Sequence, residues 1–369
     1  MTLVLHWFLP TGGDSRELAP GPSDARREPD LGYLCEIASA AERFGFEALL
    51  TPTGTFCEDA WITTASIAAR TERIKFLVAF RPGFLSPTLA AQMAATYQRL
   101  TGGRLLLNVV TGAEPAELAR FGDWLDKDAR YARAGEFIEV VRGAWGADAF
   151  DFTGEHYRVA QATTRRSPDP LPQIYFGGAS PAAERVAAAG VDCYLTWGEP
   201  PAMVTERLNR MRALAATQGR SLRFGIRFHV ICRPDSSSAW AEAHRLLANV
   251  DPSDIEAARL DFASTQSEGQ RRMAELSGGT ADGLVIHPNV WAGVGLVRGG
   301  AGTALVGSFD EVADRIAEYH GLGFDEFILS GYPHLEEAYW FGEGVVPRLR
   351  SRGLLPADTH DAGPMMTFR

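Results

Sequence analysis

Short apolar runs alternate with longer amphipathic segments along the chain. The first run, LVLHWF at residues 3–8, is followed by DLGYLCEIASAAERFG at residues 30–45, whose apolar residues recur at helical spacing and which ends at a glycine. The later runs of strand length are EALLTP, IKFLVAF, RLLLNVV, PQIYFGG, DCYLTW, RFGIRFHVI and DEFILSG. The pattern predicts eight strands that alternate with helices.

This alternation predicts an α/β fold, and eight repeats favour a (β/α)₈ TIM barrel. An open, doubly wound sheet is the alternative, but no GxGxxG motif follows the first strand. No linker rich in Pro, Gly or Ser divides the chain, so we expect one domain over residues 1–369 with two insertions. The first insertion, at about 148–172, is predicted to be a small β excursion, and the second, at about 250–307, lies between strands seven and eight.

The second insertion ends in the glycine-rich segment GLVRGGAGTALVG, residues 295–307, whose one charged side chain is Arg298. Such a segment loses much backbone entropy when it becomes ordered. One interpretation is a surface loop with a solvated arginine, and the other is a mobile lid that carries a positive charge to a bound anion. An insertion after a barrel strand projects from the face where barrel active sites lie, and this favours the lid.

Composition excludes several classes of function. The chain is 46% hydrophobic and 22% charged, has a formal net charge of −10 and contains no run of basic residues, so a general binder of nucleic acid is not expected. No apolar run approaches the roughly 20 residues of a membrane span, and the N-terminus lacks the features of a signal peptide. The four cysteines form no CxxC pair, which argues against zinc and disulfides and is typical of a cytoplasmic protein.

Candidate functional side chains lie on the predicted strands or directly after them. Arg227 and His229 are two residues apart on strand seven and therefore face the same way. The side chains expected near them, at the ends of strands six and eight, are Trp197, Tyr332 and His334. Together they predict a cationic pocket with a proton donor. The alternative is an ion pair between Arg227 and a nearby acid such as Glu199, with His229 as an ordinary core residue.

Other motifs leave alternatives open. In FGGAS, a helix begins at Ser180, where backbone N–H groups could hold a phosphate, although a plain strand-to-helix turn fits equally well. Cys57 is a possible nucleophile, but nothing beside it in sequence would lower its pKa. The chain has neither an HExxH motif nor a GxSxG elbow, so neither a metal site nor a serine hydrolase is predicted.

Eight motifs resemble those of the flavin-dependent alkanesulfonate monooxygenases of the bacterial luciferase-like superfamily. They are WFLPTGGD, PTGTFCEDAW, NVVTG, YFGGAS, YLTWGEPP, FGIRFHVI, WAGVGLVRGGAGTALVG and SGYPHLEEAY, and they occur in this order over about residues 2–340. The resemblance implies a luciferase-like barrel that receives reduced FMN (FMNH2) from a separate NAD(P)H-dependent FMN reductase. It implies that the enzyme cleaves the C–S bond of an organosulfonate with O2, releasing an aldehyde and sulfite. It further implies a homodimer or tetramer.

The resemblance also implies roles for individual residues. The residues implied to be catalytic are Arg227, His229, Arg298, Tyr332 and His334. Those implied to bind substrate are His6, Gly12, Cys57 and Trp197. Those implied to bind FMN, with its phosphate at the start of a helix, are Thr53, Asn108, Tyr131, Ala179 and Ser180.

The chain departs from the family pattern near the expected pocket. Gly12 replaces a histidine, His6 replaces an aromatic residue, and Thr55 and Phe56 replace an arginine and a serine. A missing side chain would enlarge the pocket and a histidine would suit hydroxyl groups, which makes a sugar sulfonate such as sulfoquinovose a candidate beside alkanesulfonates. The alternatives are a flavin or deazaflavin oxidoreductase acting on another substrate, and a flavin-binding protein without turnover.

Overall fold

A closed barrel of eight parallel strands forms the centre of the computed structural model, which describes residues 2–19, 26–279 and 283–357. The barrel strands are β1 Val4–Phe8, β2 Ala48–Thr51, β3 Lys75–Phe80, β4 Leu105–Val109, β5 Ile174–Gly177, β6 Cys193–Trp197, β7 Arg223–Arg233 and β8 Glu326–Ser330. In space β1 lies between β2 and β8, β2 to β6 follow in chain order, and β6 pairs with β7, which also pairs with β8. The predicted (β/α)₈ barrel is confirmed.

Eight helices surround the barrel. They are α1 Leu31–Phe44, α2 Ala60–Ala68, α3 Pro87–Thr101, α4 Lys127–Ala144, α5 Pro181–Gly190, α6 Pro201–Thr217, α7 Phe309–Leu322 and α8 His334–Ser351. Local signals in the sequence begin several of them: the side chains of Asp30, Ser86 and Ser308 accept hydrogen bonds from the first turns of α1, α3 and α7. These caps fix where the three helices begin.

Inside the barrel, apolar side chains pack beside a buried pair formed by His6 and Glu326. Leu50, Leu77 and Ile328 belong to the interior apolar cluster. His6 on β1 is fully buried, and its Nε2 lies 2.8 Å from Oε2 of Glu326 at the start of β8. Glu326 also pairs with Arg223 at the start of β7. The strand register places this group at the end of the barrel where β8 begins.

Several segments depart from the strand–helix alternation. Strands Asp14–Ser15 and Arg26–Arg27 pair after β1, and a short helix, Pro115–Arg120, follows β4. Strands Phe150–Thr153 and Arg158–Ala162 form an antiparallel hairpin. Between β7 and α7 the elements are helices Ser236–Ala248, Pro252–Ser264 and Glu268–Ser277, strands Val285–His287 and Val290–Trp291, a 3-10 turn Gly293–Leu296 and strand Ala304–Ser308. The last of these pairs in parallel with the second half of the long strand β7 and extends the sheet. The glycine-rich segment therefore ends in regular structure.

In the described part of the chain, every helix is too short or too polar to cross a membrane.

Candidate functional site

A cavity of about 380 Å³ lies where the barrel strands end at their C-terminal side. Its floor includes Leu50, Leu195 and Ile328 from three strands. The predicted site residues that line it are Thr53, Asn108, Tyr131, Ala179, Trp197 and Arg227. Parallel strands present their carboxyl ends at one edge, so residues remote in sequence meet there.

Arg227 is one of four cationic side chains that line this cavity, with Arg81, Lys127 and Arg207. Its guanidinium carbon lies 4.4 Å from the centre of the Phe8 ring, and its Nε is buried without a hydrogen-bond partner among the described residues. Across those residues it forms no ion pair within 4.0 Å. Burial lowers the pKa of Arg227 to about 10, so it still carries its charge at neutral pH.

The acid considered from sequence as the partner of Arg227 binds other residues. Glu199 is 1% exposed, and its carboxylate accepts hydrogen bonds from Arg207 at 3.1 Å and from Arg272 at 2.7 Å. The ion pair between Arg227 and Glu199 considered from sequence is therefore absent. A desolvated arginine without a carboxylate favours binding an anion from solution.

His229 does not offer a free proton donor. Its Nε2 lies 2.9 Å from the carbonyl oxygen of Ala301, and its Nδ1 lies 2.9 Å from the hydroxyl of Ser330. A carbonyl only accepts, so Nε2 carries the proton and Nδ1 accepts from the hydroxyl. Burial, and then the charge of Arg227, hold the pKa of His229 well below its usual value. Both ring nitrogens are occupied in a neutral ring, which corrects the expectation of a proton donor at this position.

Aromatic contacts connect the remaining candidate side chains in a row. The ring of Phe8 lies 5.4 Å from that of His334, and His334 lies 5.4 Å from Tyr332. Tyr332 stacks on His229 at 5.3 Å and lies 5.1 Å from the guanidinium carbon of Arg298. We call Phe8, His334 and Tyr332 the aromatic row. It brings together all five residues implied to be catalytic, but of these only Arg227 lines the cavity itself.

The glycine-rich segment is packed rather than loose in this conformation. Gly295 N–H donates to the carbonyl of Gly302 at 2.8 Å, and a Cβ on Gly302 would lie 2.7 Å from the Cα of Gly295. These two glycines are explained by the close approach of two backbones, not by mobility. Arg298 is held by its Nε, which donates to the carbonyl of Leu18 at 2.7 Å.

A different part of the second insertion forms a wall of the cavity. Residues 266–269 line it, and Gln266 N–H donates to the carbonyl of Ala113 at 3.1 Å while its side chain accepts from Arg130 at 2.8 Å. The sequence patterns singled out neither this wall nor Phe8. An insertion after strand seven indicated only that some part of it would reach this face of the barrel.

Three residues expected to bind substrate lie outside the cavity lining. Nε2 of His6 binds Glu326 inside the barrel, and its Nδ1 is buried without a hydrogen-bond partner among the described residues, so His6 does not reach the cavity. At Gly12 a Cβ would lie 2.8 Å from the carbonyl oxygen of Phe56, so the missing side chain does not enlarge the pocket. Cys57 Sγ contacts the carbonyl of Gly54 at 3.6 Å, and burial raises the pKa of its thiol, which makes it a poor nucleophile.

The cavity offers polar groups suited to a flavin. Asn108 on its wall is 7% exposed, and the buried hydroxyl of Thr196 has no hydrogen-bond partner among the described residues. At the start of α5 the hydroxyl of Ser180 accepts from Ala183 N–H at 3.3 Å. A Cβ on Gly178 would lie 2.5 Å from the Cβ of Ala183, so glycine is required where the chain turns into α5. A polar ring and a phosphate both find partners here.

Comparison with known proteins agrees with the barrel fold. A family model described as luciferase-like monooxygenase matches residues 3–326. A riboflavin lyase crystallised with modified FMN and riboflavin superposes with a TM-score of 0.81 at 23% identity, covering 96% of this chain and 93% of that one. DmoA from Hyphomicrobium sulfonivorans gives 0.79 at 22%, covering 97% and 90%. EDTA monooxygenase from Chelativorans sp. BNC1 gives 0.75 at 21%, covering 96% and 95%.

Proposed function

This chain belongs to the luciferase-like monooxygenase family, and we propose that it cleaves the C–S bond of an organosulfonate using reduced FMN and O2. The balanced reaction converts R–CH2–SO3⁻, O2 and FMNH2 into R–CHO, HSO3⁻, FMN and H2O. Reduced FMN, when bound, supplies the two electrons that activate O2. The remaining tasks are binding, orientation and exclusion of water, and these belong to the protein.

Arg227 is the observation that carries this proposal. It is a charged guanidinium on the cavity wall that lacks a carboxylate partner among the described residues. A sulfonate keeps its negative charge over the whole physiological pH range, so charge-assisted hydrogen bonds from an arginine suit it. Phe8 beneath the guanidinium fixes its plane, and Trp197 lies on the same cavity wall.

The flavin is proposed to bind on the opposite side of the cavity. Thr53 and Asn108 would contact the ring system, and Tyr131, Ala179 and Ser180 would hold the phosphate at the start of α5. The N-terminus of a helix favours an anion through its free N–H groups and its dipole. Residues 266–269 and Trp197 would then shield the reacting atoms from water.

The structure removes the argument for a sugar substrate. That argument needed His6 at the pocket and an open space at Gly12, but His6 does not line the cavity and the Gly12 face is filled. The proposal therefore covers organosulfonates as a class. A sulfosugar becomes one arm of the test rather than the preferred substrate.

We also propose that a separate NAD(P)H-dependent FMN reductase supplies the reduced flavin. The absence of GxGxxG after the first strand supports this division of labour. We propose that such a pair works in the cytoplasm, where NAD(P)H is available to the reductase. Robust oxidation of NADPH by the purified chain alone would contradict this part of the proposal.

The decisive experiment measures sulfite release and O2 uptake together. Purified chain, FMN, an FMN reductase and NADPH are mixed with octanesulfonate, a short alkanesulfonate or sulfoquinovose, and each is compared with a reaction lacking sulfonate. We expect sulfite only with a sulfonate present, and its loss in Arg227→Ala but not in Arg185→Ala, an exposed arginine on α5.

Two results would overturn the proposal. One is O2 uptake without sulfite from every sulfonate in the panel. The other is turnover that requires a reduced deazaflavin in place of FMN, which would assign the chain to the deazaflavin-dependent oxidoreductases.

A further inference from the structure

Asp14 binds His334 through both oxygens of its carboxylate. It lies in the short strand Asp14–Ser15 after β1, and its side chain is buried. Asp14 Oδ1 lies 2.8 Å from His334 Nδ1, and Oδ2 accepts from the backbone N–H of His334 at 2.7 Å. One carboxylate therefore holds both the ring and the backbone of a residue 320 positions away.

The backbone contact explains why His334 lies where it does. His334 is the first residue of α8, and the residue before it, Pro333, provides no side-chain cap. Asp14 supplies the missing cap from another part of the chain and fixes the start of the helix. The indole of Trp7 donates to the carbonyl of His334 at 3.2 Å, so the backbone is held from both sides.

The ring contact determines which nitrogen of His334 carries the proton. Burial alone would raise the pKa of Asp14. The contacts with His334 and the hydrogen bond from Tyr33 outweigh burial and lower this pKa to about 2. An ionised carboxylate only accepts hydrogen bonds, so Nδ1 of His334 must be protonated. Nε2 is left as the nitrogen that can exchange a proton.

Asp14 is itself held in place by α1. The hydroxyl of Tyr33 donates to Asp14 Oδ2 at 2.5 Å, and Arg27 donates to that hydroxyl at 3.2 Å. Arg27 also binds Glu336 in the first turn of α8 at 2.7 Å. Elements from three parts of the chain therefore fix the carboxylate before any ligand binds.

We propose that Asp14 is a positioning residue for the reaction site. It fixes His334, a member of the aromatic row, as the Nδ1–H tautomer and leaves Nε2 as the nitrogen that exchanges a proton. The kinetic part of this inference rests on the proposed monooxygenase function, whereas the tautomer does not. His334 packs against Phe8, the ring that carries Arg227, so the position of His334 is linked to that of the proposed sulfonate site.

The test is Asp14→Asn, examined on the full-length chain with ¹⁵N-labelled histidine. The asparagine oxygen can still accept from His334 N–H and from Tyr33, so the cap is retained, while its NH2 group now faces Nδ1 and favours the opposite tautomer. Long-range ¹H–¹⁵N spectra, with His334→Gln to assign the signal, should show a protonated Nδ1 in the natural chain and a protonated Nε2 in Asp14→Asn. The same tautomer in both would overturn the proposal.

Kinetics provide the second arm. Asp14→Asn should lower kcat by roughly tenfold or more, part of the 10² to 10⁴ that a positioned acid–base group contributes, with little change in KM. Adding His334→Gln to it should lower kcat no further than His334→Gln alone, because the two residues act as a unit. Additive losses would indicate independent roles and overturn the proposal.

Two further variants separate positioning from folding. Arg16→Ala, two residues from Asp14 and highly exposed, should leave kcat unchanged. Tyr33→Phe removes one hydrogen bond to Asp14 and should keep the Nδ1–H tautomer with a smaller loss of kcat. If no sulfonate is turned over at all, the monooxygenase proposal fails, and the spectra still decide the role of Asp14.

Discussion

The guanidinium of Arg227 lies over the ring of Phe8, with 4.4 Å between the guanidinium carbon and the ring centre. This contact orients a charged group that has no carboxylate partner among the described residues. Phe8→Leu keeps an apolar side chain but removes the ring face. A cation–π contact contributes roughly 0.5–2 kcal/mol, so we expect KM for the sulfonate to rise by about 2- to 30-fold, with a smaller change in kcat.

The control for this prediction is Phe309→Leu. Phe309 carries a guanidinium in the same way, since Arg348 lies 5.1 Å from its ring centre, but it is remote from the cavity. Its replacement should leave KM unchanged. An equal rise in KM for both variants would show that the effect is not specific to Arg227.

Arg298 connects the second insertion to the aromatic row. Arg298→Ala removes its contact with Tyr332 and its hydrogen bond to Leu18. We expect sulfite release to be strongly reduced or abolished, while FMN affinity is retained because Arg298 does not line the cavity. Arg259→Ala, an exposed arginine on helix Pro252–Ser264, serves as the control. Near-normal turnover in Arg298→Ala would show that Arg298 only holds the segment in place and has no part in the reaction.

Gly12 is needed for the approach of two loops. A Cβ there would meet the carbonyl of Phe56 at 2.8 Å, and Thr11 accepts from Glu58 N–H at 3.0 Å across the same contact. Because the neighbour is backbone, Gly12→Ala should lower the free energy of unfolding by about 1–3 kcal/mol, measured by urea denaturation. Gly321→Ala on α7, where a Cβ meets nothing within 4 Å, should be neutral or stabilising. Unchanged stability in Gly12→Ala would show that the loops give way.

His229 makes the stability depend on pH. Its pKa is depressed in the folded state by burial and by Arg227, whereas the unfolded chain takes up a proton at this residue below about pH 6.5. The stabilising effect of the neutral ring is therefore complete above about pH 6.5 and is lost as the pH falls, by about 1.4 kcal/mol per pH unit. Urea denaturation between about pH 7.5 and 5 should show a shallower decline for His229→Gln. His244→Gln, an exposed histidine, should keep the steep decline of the natural chain.

An uncharged face is predicted to bind a second copy of this chain. Ile62 on α2 and Leu100 on α3 are 72% and 76% exposed beside an apolar groove, and Arg99 is the one charged residue of these two helices. Two copies that each carry a net charge of −10 repel one another least at such a face. Light scattering should show a homodimer or tetramer that Ile62→Asp dissociates. Leu260→Asp makes the same kind of apolar-to-acidic change at a residue that is 60% exposed elsewhere, and it should not dissociate the oligomer. A monomeric natural chain would contradict this prediction.

Part of the site could be predicted because parallel strands end together. Thr53 follows one apolar run, Asn108, Trp197 and Arg227 lie on three others, and closure of the barrel places all four around one cavity. Apolar periodicity is a local property of the chain, which is why the eight strands and the helix at residues 30–45 were predicted close to their observed bounds.

The sequence by itself determined the barrel and the residues at its strand ends, whereas the tertiary structure decided which of those side chains are free. His6 is paired with Glu326 and Asp14 with His334, each across 320 positions, and Arg227 is left without a carboxylate because Glu199 binds two other arginines. The local sequence pattern determines which strand or helix carries a side chain. The partner of that side chain lies on a distant segment that meets it only when the barrel closes. Closure therefore decides whether a charge is neutralised within the protein or remains to bind a ligand.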